Sequence, residues 1–358
     1  MGVAPSVTDT AIPSLSVLDL VPVRTGQSSA HAVASSMALA QRADELGYRR
    51  YWFAEHHNMA AVASTTPPVL ISAAASRTSR IRLGSGGVML PNHAPLIVAE
   101  QFAALEALAP GRIDLGLGRA PGSDPVITQL LRRSGTTSEA QEFPQNVQEI
   151  MEIMSPDGAS FSFSNGGTYE SRATPAATAS PEVWLLGSSD FSARLAAQLG
   201  LPYVFANHFG APGLEQAMTL YRETYQPSER HPRPQSFLTA NVSVAPTEEE
   251  AHQRALPMLR QFARMRTNAP MRPLETIEEV LAAPSEGAEA QALEQVRSSW
   301  FIGTPEQVAP RLREFAAASG VDEIMVSGSL GAYESEPLDE PTGNAQTLQL
   351  LAEAMFTV

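Results

Sequence analysis

Short, almost uninterrupted apolar runs recur eight times along the chain, and segments with helical periodicity separate most of them. Strands without polar alternation are typical of parallel sheets that are covered on both faces. Alternating strands and helices in this number favour an α/β fold, a closed (β/α)8 TIM barrel with loop insertions, over an open doubly wound sheet. The open sheet stays an alternative at this point. The predicted strands are Leu15–Leu20, Tyr51–Ala54, Ile81–Met89, Ile113–Leu117, Val183–Gly187, Tyr203–Ala206, Phe237–Ala245 and Glu323–Ser327.

Helix signals lie between these runs. Ala34–Leu46 carries an apolar stripe at helical spacing. Thr247 with Glu250 predicts a capping box that opens a helix through about Met265. Thr304-Pro305 with Gln307 predicts another, with proline at the first helical position.

Three polar, proline-bearing segments interrupt the alternation, and we expect them to be flexible loops. They cover residues 155–181, 266–299 and 328–343. Long loops in a barrel are often lids over an active site. We expect one barrel domain over residues 1–358, with residues 1–14 as an N-terminal extension.

Composition excludes several classes of function. The net charge is −14, from 24 basic and 38 acidic residues, so duplex DNA and anionic membrane surfaces are unfavourable partners. The chain contains no cysteine, which excludes thiolate nucleophiles, zinc thiolate sites and iron–sulfur clusters. It also contains no lysine, which excludes Schiff-base chemistry. With no signal peptide and no membrane-spanning run in the sequence, we expect a cytoplasmic protein.

Titratable side chains follow the second predicted strand directly. Trp52–Asn58 begins apolar and ends with Glu55, His56, His57 and Asn58. Catalytic groups collect at the carboxyl ends of strands in parallel α/β enzymes. Adjacent imidazoles project in opposite directions from a strand, so a zinc pair is disfavoured and no metal is expected. One of the two histidines is better suited to act as a general acid or base.

Two further strand ends carry groups that suit an anionic ligand. Gly116–Pro121 nearly matches a dinucleotide-binding fingerprint, but proline replaces the last glycine. Arg119 in this segment can reach an anion or form an ordinary surface ion pair. Gly187–Ser192 opens a helix with three serines, which suits either a phosphate cradle or a simple helix cap. Glycines within Gly84–Gly87 indicate a bulge, the close approach of a ligand, or tight packing.

Several longer strings occur in an order that resembles the bacterial luciferase-like, flavin-dependent monooxygenases, in particular the subgroup called luciferase family oxidoreductase, group 1. The resemblance extends over nearly the whole chain, from about residue 15 to 330. The matching strings are Leu15–Leu20, Ala54–Asn58, Arg82–Pro95, Gly111–Gly122, Trp184–Ala193 and Gly303–Glu306.

The resemblance implies a TIM barrel that binds reduced FMN at the carboxyl ends of its strands. By position, Arg119 corresponds to the family's phosphate-binding arginine. Ser188, Ser189 and Ser192 correspond to its phosphate-contacting turn. Gly86-Gly87 corresponds to the bulge beneath the isoalloxazine ring, which is a non-proline cis peptide in luciferase.

The resemblance also implies catalytic roles. His56 corresponds to a residue with an acid/base role in luciferase, and Glu55 to an active-site carboxylate. Luciferase has a reactive cysteine where this chain has Gly118, so monooxygenation is a firmer expectation than light emission. We expect a homodimer, as in the family.

The expected reaction follows from the same resemblance. Reduced FMN, delivered by a separate NAD(P)H flavin reductase, reacts with molecular oxygen to give a flavin hydroperoxide, and one oxygen atom enters a small organic substrate. Secondary-metabolite (antibiotic) biosynthesis is one expected setting. The alternatives are a deazaflavin-dependent oxidoreductase and a non-catalytic flavin-binding protein.

Overall fold

Eight parallel strands close into a barrel in the computed structural model, which describes residues 12–133, 139–176, 179–210 and 212–356. The order around the barrel is β1-β2-β3-β5-β8-β9-β10-β12, and β12 pairs with β1 in parallel. This closure confirms the predicted TIM barrel and eliminates the open sheet. The strands are β1 (Ser14–Asp19), β2 (Arg50–Phe53), β3 (Arg82–Ser85), β4 (Val88–Met89), β5 (Ile113–Gly118), β6 (Ala159–Ser162), β7 (Thr168–Ser171), β8 (Glu182–Gly187), β9 (Tyr203–Phe205), β10 (Ser236–Val244), β11 (Phe301–Gly303) and β12 (Glu323–Ser327).

Helices surround the barrel, and most of them bury an apolar face against the strands or against a neighbouring helix. In α4, Val126 and Leu130 are exposed instead. The helices are α1 (Ser29–Leu46), α2 (Pro67–Ala75), α3 (Pro95–Leu108), α4 (Pro125–Arg132), α5 (Phe143–Ile153), α6 (Asp190–Leu199), α7 (Leu214–Thr224), α8 (Glu248–Arg266), α9 (Ile277–Ala282), α10 (Gly287–Arg297), α11 (Pro305–Ser319) and α12 (Thr342–Phe356). In the described ranges, no helix is both long enough and apolar enough to cross a membrane.

The predicted helix starts are confirmed at α8 and α11, with one difference. The Thr247 hydroxyl accepts a hydrogen bond from the Glu250 amide at 3.2 Å, as a helix cap requires. The Glu250 carboxylate does not complete the box, because it accepts from Arg254 Nε at 3.0 Å. At α11, the Gln307 side chain accepts from the Thr304 amide at 2.9 Å.

The predicted strand over residues 81–89 is divided in two. β3 ends at Ser85 and β4 begins at Val88, and the Gly86-Gly87 peptide bond between them is cis. Both pieces pair in parallel with β5. The cis bond confirms the backbone feature that the resemblance implied at this position.

Two of the three predicted loops contain regular elements. Residues 155–181 include the antiparallel hairpin of β6 and β7, and residues 266–299 include α9 and α10. Their mixed composition hides these elements, because a short hairpin and short amphipathic helices give weak periodicity. The predicted extension, residues 1–14, falls mostly outside the described residues.

The amino-terminal end of the barrel is filled by charged and aromatic side chains. Arg50 donates from Nη1 to Asp114 at 2.8 Å and from Nε to Glu323 at 2.9 Å. Its guanidinium carbon also lies 4.5 Å from the centre of the Trp184 ring. Trp184 packs in turn against Trp52 and Phe237, all of them at most 2% exposed. These side chains form a floor beneath the opposite, open end.

Candidate active site

A cavity of about 240 Å³ opens at the carboxyl ends of the barrel strands. It brings together seven of the eight predicted site residues. Glu55, the eighth, lies behind the wall and not on it. The predicted residues on the wall are His56, Gly86, Gly87, Arg119, Ser188, Ser189 and Ser192.

Arg119 directly follows β5 and is half-buried at the cavity wall. Its guanidinium carbon lies 3.8 Å from the centre of the Phe191 ring, a cation–π contact. Within the described chain, Arg119 forms no ion pair and no side-chain hydrogen bond. The alternative role as a partner in a surface ion pair therefore finds no support, and the guanidinium donors stay available to a ligand.

The serine turn after β8 leads into α6. Ser189 occupies the cap position of this helix with extended backbone angles, but its side chain makes no capping hydrogen bond. The first amides of α6 thus keep unpaired donors next to the exposed hydroxyls of Ser188 and Ser189. A helix start of this kind favours an anion. The simple cap that the sequence left open is therefore the weaker interpretation.

Gly187 allows the turn to close tightly. A Cβ atom built there would lie 2.3 Å from the Ser192 hydroxyl oxygen, and Ser192 is 4% exposed. Glycine is therefore required for Ser192 to sit against the strand end.

Among the described residues that line the cavity, none is Asp or Glu. The arginine, the serines and the helix amides together form a donor-rich corner that fits a phosphate group.

Gly86 and Gly87 form another part of the cavity wall. Cβ atoms built there would lie 2.6 Å from Leu18 Cδ1 and 2.8 Å from the Gly116 carbonyl oxygen, respectively. The two glycines thus let neighbouring barrel strands approach closely. They also present a surface without side chains to the cavity, which suits a flat ring.

Glu55 is fully buried and binds two histidines. The Nε2 atoms of His57 and His93 lie 2.9 and 2.8 Å from Glu55 Oε1, and the Met89 amide donates to Oε2 at 3.0 Å. Burial opposes ionisation, but these hydrogen bonds outweigh it and lower the pKa of Glu55 to about 2. An ionised carboxylate only accepts hydrogen bonds, so each histidine carries a hydrogen on Nε2.

His56 points away from Glu55 and lines the cavity. Its Nδ1 atom is enclosed and has no hydrogen-bond partner within the described chain. The nitrogen that is free to meet a ligand is therefore Nε2. Burial lowers the pKa of His56 below its usual 6.5, so the ring is neutral at neutral pH and can accept a proton.

A second histidine on the wall, His208, was not predicted. It lies just beyond β9, and its Nδ1 is 2.7 Å from the Thr239 hydroxyl. Burial and the neighbouring His56 lower the pKa of His208 to about 3. A titratable residue at a strand end was the signal that singled out His56, and the same signal was present here. His93 was missed as a site residue too, because its link to Glu55 is tertiary.

The described residues contain no cluster of three His, Cys, Asp or Glu side chains that could hold a metal ion. The residues that line the cavity supply imidazole groups and anion donors. This set suits an organic cofactor with a phosphate.

The sequence matches the profile of the luciferase-like monooxygenase family over residues 14–323. A luciferase-like monooxygenase of Escherichia coli strain K12 is 39% identical over 325 residues, covering 90% of this chain and 93% of that protein. An N-acetyl-S-alkylcysteine monooxygenase of Bacillus subtilis strain 168 is 32% identical over 356 residues, covering 96% of this chain and 98% of that protein.

The structure is also similar to solved structures. The crystal structure of apo-MsnO8 has a TM-score of 0.84 and 33% identity, covering 98% of this chain and 99% of its own. Two structures with lower identity share the fold alone. One is the oxygenating constituent of 3,6-diketocamphane monooxygenase from Pseudomonas putida in complex with FMN (TM-score 0.68, 18% identity, covering 96% and 97%). The other is an F420-dependent secondary alcohol dehydrogenase (TM-score 0.63, 14% identity, covering 96% and 99%).

Proposed function

This chain belongs to the luciferase-like monooxygenase family, and we propose that it is a two-component enzyme that uses reduced FMN to insert one atom of molecular oxygen into a small organic substrate. The observation that carries the proposal is the donor-rich corner formed by Arg119, the serine turn and the start of α6. It lies on the same cavity as His56 and the flat Gly86-Gly87 wall. A phosphate-bearing ring cofactor matches both features.

The residues that would hold FMN are those of this corner. Arg119 would bind the phosphate through two N–H groups, with Ser188, Ser189 and Ser192 as further donors. Gly86-Gly87 would support the isoalloxazine ring. Reduced FMN, when bound, supplies the electrons that activate dioxygen.

His56 would move the proton that the reaction requires, at its Nε2 atom. The lowered pKa keeps the His56 ring neutral at neutral pH, so the ring can take a proton from the reacting groups and later return it. Glu55, predicted as a catalytic residue, would serve here by positioning, because it binds the neighbouring His57 and His93. Enclosure by the barrel walls would exclude water, which competes with the substrate.

The electron supply is proposed to be a separate NAD(P)H flavin reductase. The Gly116–Pro121 segment lacks the last glycine of a dinucleotide-binding fingerprint, and it leads into Arg119 at the phosphate corner. A nicotinamide site within this chain therefore has little support. If a separate reductase delivers reduced flavin, this chain needs no nicotinamide site of its own.

Anaerobic titration tests the proposal directly. Reduced FMN and a reduced deazaflavin are each titrated into the protein, and binding is followed by absorbance. We expect reduced FMN to bind, and Arg119→Ala to weaken that binding by roughly 10- to 100-fold, as expected for loss of charge-assisted hydrogen bonds. Arg77→Ala, an exposed arginine on the opposite side of the barrel, is the matched control.

Oxygen consumption completes the test. With reduced FMN and a suitable substrate, oxygen uptake should be coupled to substrate oxidation. Preferential binding of the deazaflavin would instead support the hydride-transferring alternative, which the F420-dependent structure of the same fold makes worth testing. Flavin binding without oxygen consumption over a substrate panel would support a non-catalytic flavin-binding protein.

A further inference from the structure

A second cavity of about 80 Å³ adjoins the central one. The two cavities share four wall residues, so the smaller one opens directly beside His56 and His208. We call it the side pocket. The shared residues are Leu20, His56, His208 and Phe209.

The side pocket is apolar and rich in methionine. Four methionines line it, together with Phe262 from α8. Methionine side chains are flexible and polarizable, so they adapt to apolar groups of different shapes. The four are Met59, Met258, Met265 and Met271.

Fixed charge is absent from the described residues that line the side pocket, since none is Asp, Glu, Lys or Arg. A carboxylate or sulfonate that entered would lose its hydration without gaining a cationic partner, which is strongly unfavourable. Arg119 lines only the central cavity, where it is assigned to the phosphate. The side pocket therefore selects uncharged groups.

Gln261 provides one specific polar feature of this pocket. Its Nε2 donates to the backbone carbonyl of Arg272. Only the amide nitrogen can donate to a carbonyl, so this contact fixes the orientation of the side chain. Oε1 is then left buried without a hydrogen-bond partner in the described chain, on a residue that is 3% exposed. A buried acceptor of this kind is stabilised by an incoming N–H or O–H donor.

We propose that the side pocket binds the substrate, and that it takes an uncharged, mainly apolar group carrying one N–H or O–H donor, which hydrogen-bonds to Gln261 Oε1. The inference deepens the proposed function and rests on it, because it assumes that the reaction occurs in the central cavity. It places the bound group next to His56 and His208. Sulfonates and carboxylates are excluded from the pocket, whereas neutral amides and alcohols are accepted.

Calorimetric titration of the full-length protein without flavin tests this inference. The probes are hexanamide, its carboxylate counterpart hexanoate, and heptan-2-one, a neutral molecule of similar shape that lacks a donor. We expect hexanamide to bind about tenfold more tightly than heptan-2-one, the ratio that one well-made hydrogen bond can supply. Hexanoate should show no measurable binding, because its charge would be buried without a cationic partner. Equal affinity of hexanoate and hexanamide would overturn the proposal.

Gln261→Leu should weaken hexanamide binding about tenfold and leave heptan-2-one binding unchanged. Gln253→Leu is the matched control on the same helix, because Gln253 lies outside the pocket and contacts Tyr333 at 2.8 Å. An equal loss for both probes in Gln261→Leu would reject the hydrogen bond. If that variant does not fold, Met271→Trp, which fills the pocket from a partly exposed position, should abolish binding of both neutral probes. Binding that survives this change would also overturn the proposal.

The reduced-FMN titration separates this inference from the proposed function. Flavin binding together with failure of the hexanamide series rejects the side pocket alone. Gln261-dependent hexanamide binding without flavin binding rejects the cofactor assignment and keeps the pocket.

Discussion

The guanidinium carbon of Arg119 lies 3.8 Å from the centre of the Phe191 ring. This contact joins the end of β5 to the first turn of α6, two segments that are more than 70 residues apart in the sequence. Because Arg119 has no acidic partner in the described chain, the ring orients the guanidinium group without neutralising its charge. The arginine is therefore held in place yet fully available to an anion.

Removal of the ring should loosen this arrangement. We expect Phe191→Leu to weaken reduced-FMN binding by roughly two- to fivefold, since an exposed cation–π contact contributes about 0.5–1 kcal/mol. Leucine keeps most of the apolar packing, so the thermal midpoint should change little. Phe163→Leu, which changes an exposed aromatic residue outside both cavities, is the control and should leave flavin binding unchanged. Binding that is unchanged in Phe191→Leu would show that the ring does not position Arg119.

His56→Ala should separate binding from turnover. The imidazole faces the cavity but is not part of the phosphate corner. We therefore expect the dissociation constant for reduced FMN to stay within a few-fold, while turnover falls roughly 10²- to 10⁴-fold, the usual contribution of a general acid or base. Stopped-flow measurement of flavin binding and product formation checks both. His57→Gln is the neighbouring control, and an equal loss of turnover there would argue against a specific role of His56.

Glu55 should make the stability of the protein depend on pH in the acidic range. Its pKa is lowered to about 2 from 4.5, so its contribution is fully present above pH 4.5 and is lost as the pH falls towards 2. We expect Glu55→Gln to reduce the free energy of unfolding at pH 7 by roughly 3 kcal/mol, and the difference from the unmodified protein to shrink as the pH falls. Urea unfolding at pH 7, 4 and 3 measures this. The exposed Glu45→Gln should show no such trend.

Two glycines of β5 should respond differently to the same added methyl group. A Cβ atom at Gly116 would lie 2.1 Å from the Ser85 carbonyl oxygen, which belongs to the rigid backbone of β3. At Gly118 it would lie 3.2 Å from the flexible Met89 thioether. We expect Gly116→Ala to destabilise the fold by about 3 kcal/mol or more and Gly118→Ala by less than about 1 kcal/mol. Similar unfolding midpoints would contradict the close strand approach.

The strands were predictable because each one is a continuous apolar run that the barrel buries on both sides. Glu323–Ser327 was placed at its observed bounds, and the other seven were within a few residues. The apolar run continues across Gly86-Gly87, so the run alone does not reveal that the strand is interrupted there. The family resemblance implied this interruption. Arg119 and His56 were found because they directly follow predicted strands.

The partners of these residues were not predictable from the sequence. Glu55 binds His93, which is 38 positions further along the chain, and this pairing depends on how two strand ends meet. Whether Ser189 caps its helix depends on a side-chain rotamer that no motif specifies. In the described chain, Gln261 Oε1 lacks a partner because the amide nitrogen is engaged by the Arg272 carbonyl in an irregular segment. Local patterns thus identify which groups reach the site, and tertiary packing determines what each of them does.

The Trp52, Trp184 and Phe237 rings, which pack edge-on or tilted against one another above Arg50, affect the order in which molecules enter the cavity. In the described part of the chain, these rings block the barrel axis at its amino-terminal end. Ligands therefore enter and leave the cavity through the opening at the carboxyl ends of the strands. Whatever settles deepest must arrive first and depart last. We therefore expect a sequential kinetic order, in which a molecule bound near the opening delays the release of one bound more deeply.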